Sequence, residues 1–152
     1  MDMTLDRALE AYVDQRSAEI GRSCGSCSLC CRALSIRKFA KPAGAPCPAL
    51  RSSCSIHAAR PTLCRTYACE WLINPDFGDH WRPNDCGMVL RVLLTPDNPD
   101  RQQLRVICEV PGAWREEPHF SELRERARSM DVIILKPGPE NGHRNAVLFL
   151  FL

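Results

Sequence analysis

Eight of the chain's ten cysteines fall in one stretch: Cys24, Cys27, Cys30, Cys31, Cys47, Cys54, Cys64 and Cys69. The run C-G-S-C-S-L-C-C is followed by C-P-A-L, then C-S-I-H, then R-P-T-L-C-R-T-Y-A-C. Thiolate sulfur suits zinc and iron–sulfur clusters and suits magnesium or calcium poorly. Eight thiolates divide into two closed Cys₄ zinc sites. The same set also accommodates a four-iron cluster with four ligands plus one zinc. We expect all eight to be metal ligands serving two ions or one multinuclear cluster of zinc or iron. A disulfide framework would disperse its cysteines, whereas four of these crowd between Cys24 and Cys31, and the adjacent Cys30 and Cys31 are poorly placed to pair with each other. A bacterial ferredoxin run needs a Cys-Pro three residues after C-x₂-C-x₂-C. Here Cys31 interrupts that run and Cys47-Pro48 lies far downstream. A thioredoxin-like C-x-x-C should open a helix beside a βαβ unit, and the flanks show none.

Composition bounds the setting. The 152 residues make one ordinary domain with enough apolar content (45%) for a real core. Twenty basic against 18 acidic residues leave a net charge of +2, which gives no electrostatic case for nucleic acid. The opening M-D-M-T-L-D-R lacks an apolar signal core, and no run of about 18 apolar residues reads as a membrane span. A cytoplasmic protein with reduced thiols is expected, its partners being metal ions and a protein.

The elements that must position the cysteines read as an α+β chain. We expect a single domain over 1–152, with a helical cysteine-cluster region (3–75) and a ββαββ region (84–152). Residues 3–21 carry Leu5, Leu9, Tyr12, Val13 and Ile20 at helical spacing, with Gly21 as the stop. If residues 24–31 are helical, Cys24, Cys27 and Cys31 share a stripe and Cys30 lies about 100° away. If they form a turn, the two C-x-x-C pairs are ordinary chelating knuckles. R-A-L-S-I-R-K-F reads as a short strand, and the Pro-rich stretch after it as a loop that metal ligation would hold. A helix from Pro61 to about residue 73 would put Cys64 and Cys69 about 140° apart, hence on different ions or one extended cluster. Its Leu63, Tyr67, Trp71 and Leu72 are expected in the core. In the second half, 87–96 and 101–111 read as a hairpin, 119–130 as a helix, and 131–137 and 146–152 as further strands. That pattern implies a small, mostly antiparallel sheet with one covering helix.

The order C-x-x-C-x-x-C-C, C-P-x-L, C-x-I, R-P-x-x-C-R-x-Y-x-C closely resembles the CxxCxxCC zinc- or iron-chelating proteins of the YkgJ type. The resemblance runs from Cys24 to Cys69, about a third of the chain. It implies that the eight cysteines are the family's metal ligands and that Arg60, Pro61, Arg65 and Tyr67 are framework positions. His57 stands where the family often has Tyr, and Arg51-Ser52-Ser53 where it commonly has Gly. Most members of that family have no assigned activity; the full thiolate set with no recognisable catalytic partner points to a metal-binding protein with a structural, metal-handling or interaction role. The alternative is an iron–sulfur redox enzyme or an accessory protein to a modification enzyme. That alternative rests on a related cysteine motif in a flagellin lysine methylase that resembles an iron–sulfur enzyme. No Gly-rich nucleotide loop follows a strand here.

Other residues carry weaker signals. Cys86 could reach the site from a loop, whereas Cys108 alternates within a strand as a small core residue. His57 and His80 are imidazoles in reach of a zinc site, and His119 and His143 sit beside turns as surface residues. Trp71, Trp81 and Trp114 are read as core or as a stacking platform. Arg60, Arg65, Arg82 and Arg91 are read as solvated or paired with acids such as Glu70 and Asp79.

Overall fold

The computed structural model describes residues 3–95, 97–137 and 143–148, with side chains through residue 136. The chain is α+β. Its first helix, α1 (Met3–Ile20), ends as the glycine predicts: Gly21 has φ 77°, the amide of Arg22 donates to Ser17 O, and that of Gly21 donates to Ala18 O. Arg22 then donates to the carbonyls of Trp71 and Asn74 and lies 5.0 Å over the Trp71 ring, fastening the end of α1. Only Val13 of the apolar stripe is buried; Leu5, Leu9 and Tyr12 remain exposed.

The cysteine region is built from short pieces: α2 (Cys30–Ala33), α3 (Thr62–Thr66), α4 (Glu70–Ile73) and α5 (Pro83–Cys86). Two expectations are corrected here. The segment expected as a strand is the end of α2, a single Ile36–Lys41 bridge and a 3-10 turn over Arg37–Phe39. The single helix expected after Pro61 is two, because Tyr67 and Cys69 are extended (ψ 129° and 156°). Tyr67 and Cys69 thereby face the sheet, which a continuous helix would not have allowed. Pro61 precedes the first helical residue rather than occupying it. Leu63 is also not core: it is 51% exposed.

Four strands form one sheet in the order β1 (Met88–Thr95), β2 (Asn98–Cys108), β3 (Asp131–Pro137), β4 (His143–Leu148). The β1–β2 hairpin and the β3–β4 pair are antiparallel, and β2–β3 is parallel, joined through α6 (His119–Arg126). This is the expected ββαββ order, with β4 starting three residues earlier than expected. The stretch 137–145, expected as a turn, is strand at 137 and at 143–145; its residues 138–142 and the last residues of the expected fourth strand lie outside the described residues.

Strand alternation gives the sheet two apolar faces. Met88, Leu90, Leu104, Val106, Val132 and Ile134 point to one, where Leu123 of α6, the aromatic rings of Phe77, Trp81 and Trp114, and α4's Trp71 and Leu72 cover them. Val89, Ile107 and Leu135 point to the other, against Leu29, Ala33, Leu34, Tyr67 and Cys69. The two regions expected at 3–75 and 84–152 therefore share core. All three tryptophans are buried and supply no stacking platform.

The edge of β1 is covered from the cysteine side. The Val92 amide donates to Glu70 Oε1 at 2.9 Å, and Arg91 Nη1 donates to Ala68 O at 2.6 Å. Unpaired edge groups are thereby satisfied and residues 68–70 are pinned to the sheet. Glu70→Ala should leave the Val92 amide without its acceptor and cost about 1–3 kcal/mol. Urea unfolding of reduced protein checks this, and Glu70→Gln, which keeps an acceptor, should cost less.

Candidate metal centre

The sheet face of Val89, Ile107 and Leu135 supports a platform of Leu29 and Ala33, and the first four cysteines are carried at its edge. The segment 24–31 is the turn alternative, not a helix: the Cys27 amide donates to Cys24 O at 2.7 Å, Gly25 has φ 49°, and helix begins only at Cys30. Cys24 and Cys27 thus form a chelating knuckle, while Cys30 and Cys31 open α2.

This knuckle is fixed by a residue outside the cysteine motif. Asn84, in α5, accepts from the Ser28 amide at 3.0 Å and donates to Ser26 O at 3.1 Å. The Cys27 thiol lies 3.5 Å from Asn84 Oδ1, and Arg82 donates to the Ser26 hydroxyl at 3.1 Å. Sequence reading missed Asn84. Its only signal was its place in a short loop ahead of the first strand.

The loop cysteines reach the same place through the backbone. The Cys47 amide donates to Cys31 O at 2.9 Å, and the Gly44 amide donates to Ala33 O at 3.3 Å. Cys54 pairs back to Leu50 through an isolated bridge, and the Ser55 amide donates to Ala49 O. Cys64 lies in α3, and Cys69 caps the start of α4.

All ten thiols are free, and the eight expected ligands line two abutting cavities. The inner one, about 50 Å³, carries Cys69 together with Cys24, Cys27, Cys30 and Cys64, backed by Trp71, Leu72 and Val89. An outer one, about 220 Å³, is bordered by those last four thiols and adds Cys31, Cys47 and Cys54. Arg60 and Tyr67 line both and stand at the partition. Among the described residues, no three His, Cys, Asp or Glu side chains are drawn together tightly enough to be a ready-made ion site.

Several features of the walls fit thiolate–metal chemistry. The Tyr67 hydroxyl is buried without a hydrogen-bond partner among the described residues, a donor with sulfur on both sides. Burial holds its ionisation well above the ordinary phenol range, so it remains a donor. Lys41 is 5% exposed, and its ammonium donates to the carbonyls of Arg32, Leu34 and Pro42. Burial pushes its pKa down, and the nearby Cys47, Cys31 and Cys30 oppose that shift only in part.

The thiols themselves differ. Burial raises Cys24, with Arg60 opposing, and raises Cys64; it pushes Cys69 up to about 12. The Cys30 thiol donates to the Cys31 sulfur, so Cys30 is raised and Cys31 lowered, the latter helped by Lys41 and Arg60.

The remaining residues fall away from the cluster. Cys86 and Cys108 are buried in the core, and Cys86 Sγ lies 3.4 Å from Met88 O and 3.5 Å from Trp81 O. Of the histidines, His57 stands exposed at the rim of the outer cavity, its pKa lowered by burial and by Arg60. His80 lies 2.7 Å from Glu122 and His119 bonds His80 O, while the side chain of His143 is outside the described residues. Arg65 pairs with Glu10, Arg82 with Asp85, and Arg22, not an expected partner, with Asp79.

No protein-family model, curated protein or solved structure matches the chain.

Two measurements follow from this geometry. Asn84→Ala should speed hydrogen exchange of the Ser28 amide about ten-fold and cost about 1–2 kcal/mol for its lost hydrogen bonds. In metal-free, reduced protein near pH 7, iodoacetamide should label Cys31 well before Cys69. The thiolate is the reactive form, so Cys31, with its lowered pKa, is ionised at lower pH and Cys69 only in strong alkali.

Proposed function

We propose that the protein is a metal-binding cysteine-cluster protein holding zinc or iron at two thiolate centres, in a structural, metal-handling or interaction role. The observation that carries this is that eight thiols line two abutting cavities, four of them shared, with Arg60 and a Tyr67 hydroxyl unpartnered among the described residues lining both. The inner centre would take Cys69 with thiols from Cys24, Cys27, Cys30 and Cys64. An outer centre would take Cys31, Cys47 and Cys54 with the remaining one. Tetrahedral thiolate coordination satisfies both counts. The resemblance of Cys24–Cys69 to the CxxCxxCC proteins supports the same ligand set.

The residues present suit these centres. Asn84 and α2 set the knuckle, Tyr67 can donate to a ligating sulfur, and Arg60 and Lys41 offset thiolate charge. Ligation draws the loosely gathered thiols together and releases their protons. Buried ligands such as Cys24, Cys64 and Cys69 are protonated at neutral pH without metal, so affinity should rise with pH. The division into two compartments favours two separate centres over one multinuclear cluster.

Metal analysis of protein purified without oxygen should find two equivalents of zinc or iron per chain. Cys69→Ser should lose one equivalent and Cys54→Ser the other. Finding neither metal overturns the reading. A brown protein whose visible band bleaches on reduction would favour an iron–sulfur redox protein instead. A chelator should raise hydrogen exchange across 24–69 first, while the strands 88–108 stay protected, because they bury their own apolar faces.

A further inference from the structure

A third groove adjoins the Cys27 knuckle, and none of the eight expected ligands lines it. At about 490 Å³ it falls within the range of ligand clefts, roughly 300–1,000 Å³. Its walls come from α2, from α5 and from the turn that follows β2. That turn is firmly seated. The Glu109 and Val110 amides both donate to Gly87 O, at 3.0 and 3.2 Å, and a Cβ on Gly87 would stand 2.6 Å from the Val110 side chain.

Ser28 is 5% exposed, its amide is held by Asn84, and its hydroxyl has no partner among the described residues. It lines this groove and neither thiol cavity, so the hydroxyl faces the groove. Three carboxylates, Asp85, Glu109 and Glu116, stand there against one guanidinium, Arg32. Glu109, Glu116 and Arg32 have no ion pair among the described residues, and Asp85 reaches Arg82 only at 3.7 Å. His119 gives Nε2 to the His80 carbonyl at 2.9 Å, which keeps Nδ1 as a lone pair on the same wall. A chain of net charge +2 thus carries a local excess of negative charge and of hydrogen-bond acceptors.

We infer that this groove binds a basic peptide segment of a partner protein, taking a lysine or arginine side chain against Glu109 and Glu116. The aliphatic stem lies along Leu29, Val110 and Pro111, and an N–H group donates to the Ser28 hydroxyl. An acidic segment would meet three like charges. Val110, Pro111 and Glu116 are exposed, so the groove is open at their side and leaves room for a main chain at its rim. An enclosed pocket would suit a free amine better.

The test uses the full chain purified without oxygen, with metal content measured for every variant. Nitrogen-15 NMR would follow an end-blocked pentapeptide carrying one lysine and one arginine among alanines, and the same peptide with glutamates in their place. The amides of Leu29, Glu109, Gly112 and Ala113 should shift with the basic peptide and stay with the acidic one. Glu109→Gln combined with Glu116→Gln should weaken binding roughly ten-fold or more. Glu125→Gln, which removes an α6 carboxylate outside the groove, should change it less than about two-fold. Ser28→Ala should cost roughly three- to five-fold with metal content unchanged. No shifts with the basic peptide, equal binding of the acidic one, or the same loss from Glu125→Gln as from the groove pair would each overturn the inference. Cadaverine binding as tightly as the basic peptide would overturn the peptide as occupant. The thiols take no part, so protein found without metal decides the groove by the same outcomes.

Discussion

The structure depends on a sheet that is apolar on both faces. A half-buried antiparallel sheet would leave one face wet. Here the alternate residues Val89, Ile107 and Leu135 are apolar as well, and they demand a second cover. Among the described residues that cover comes from the cysteine region, through Leu29, Ala33, Leu34 and Tyr67. Each half therefore completes the other. The sheet buries its second face under α2 and Tyr67, and the cysteine loop gains a fixed floor. Glu70 and Arg91 add polar pins along the β1 edge, so Cys69 is held directly against the strand that sets the floor's position.

That floor also decides the character of the thiols. Cys69, held against the sheet, loses water and has its ionisation suppressed. Those further out meet Lys41 and Arg60 and can carry charge more readily, as Cys31 does through the Cys30 hydrogen bond. Burying several thiolates without neutralisation would cost many kcal/mol. A divalent ion shared among them would remove much of that cost.

Much of the architecture could be read from residue order. Leu and Val alternation in 88–95 and 101–108, and the charged 119–126 stretch, mark strand, strand and helix because local period and burial agree there. The cysteine region was less legible because its local preferences are overruled by distant contacts. T-L-C-R-T-Y-A-C-E-W-L-I reads as one helix on propensity. Tyr67 and Cys69 instead extend to reach the Val89–Ile107–Leu135 face, a long-range demand absent from any short window. Leu63 looked like core by helical spacing, but the break after Thr66 turns it outward. The eight cysteines stood out by type and spacing alone. Asn84 did not, since an asparagine earns meaning only from the Ser26 and Ser28 backbone it touches.

The two cavities differ in what closes them, and that difference bears on what each can do. The inner one is backed by Trp71, Leu72 and Val89, residues already committed to the core, so any rearrangement there must disturb the sheet. A metal held there would be closed in and slow to exchange. Short turns and loop residues wall the outer one instead, held by a few backbone bonds between 31–33 and 44–47, between 36 and 41, and between 49 and 55. Segments with few buried contacts open at lower free energy than core strands. Opening of the outer cavity should therefore cost less than opening of the inner one. The inner cavity is pinned to β1 through Glu70, next to Cys69, and shares Cys24, Cys27, Cys30 and Cys64 with the outer one, so its wall is the stiffer of the two.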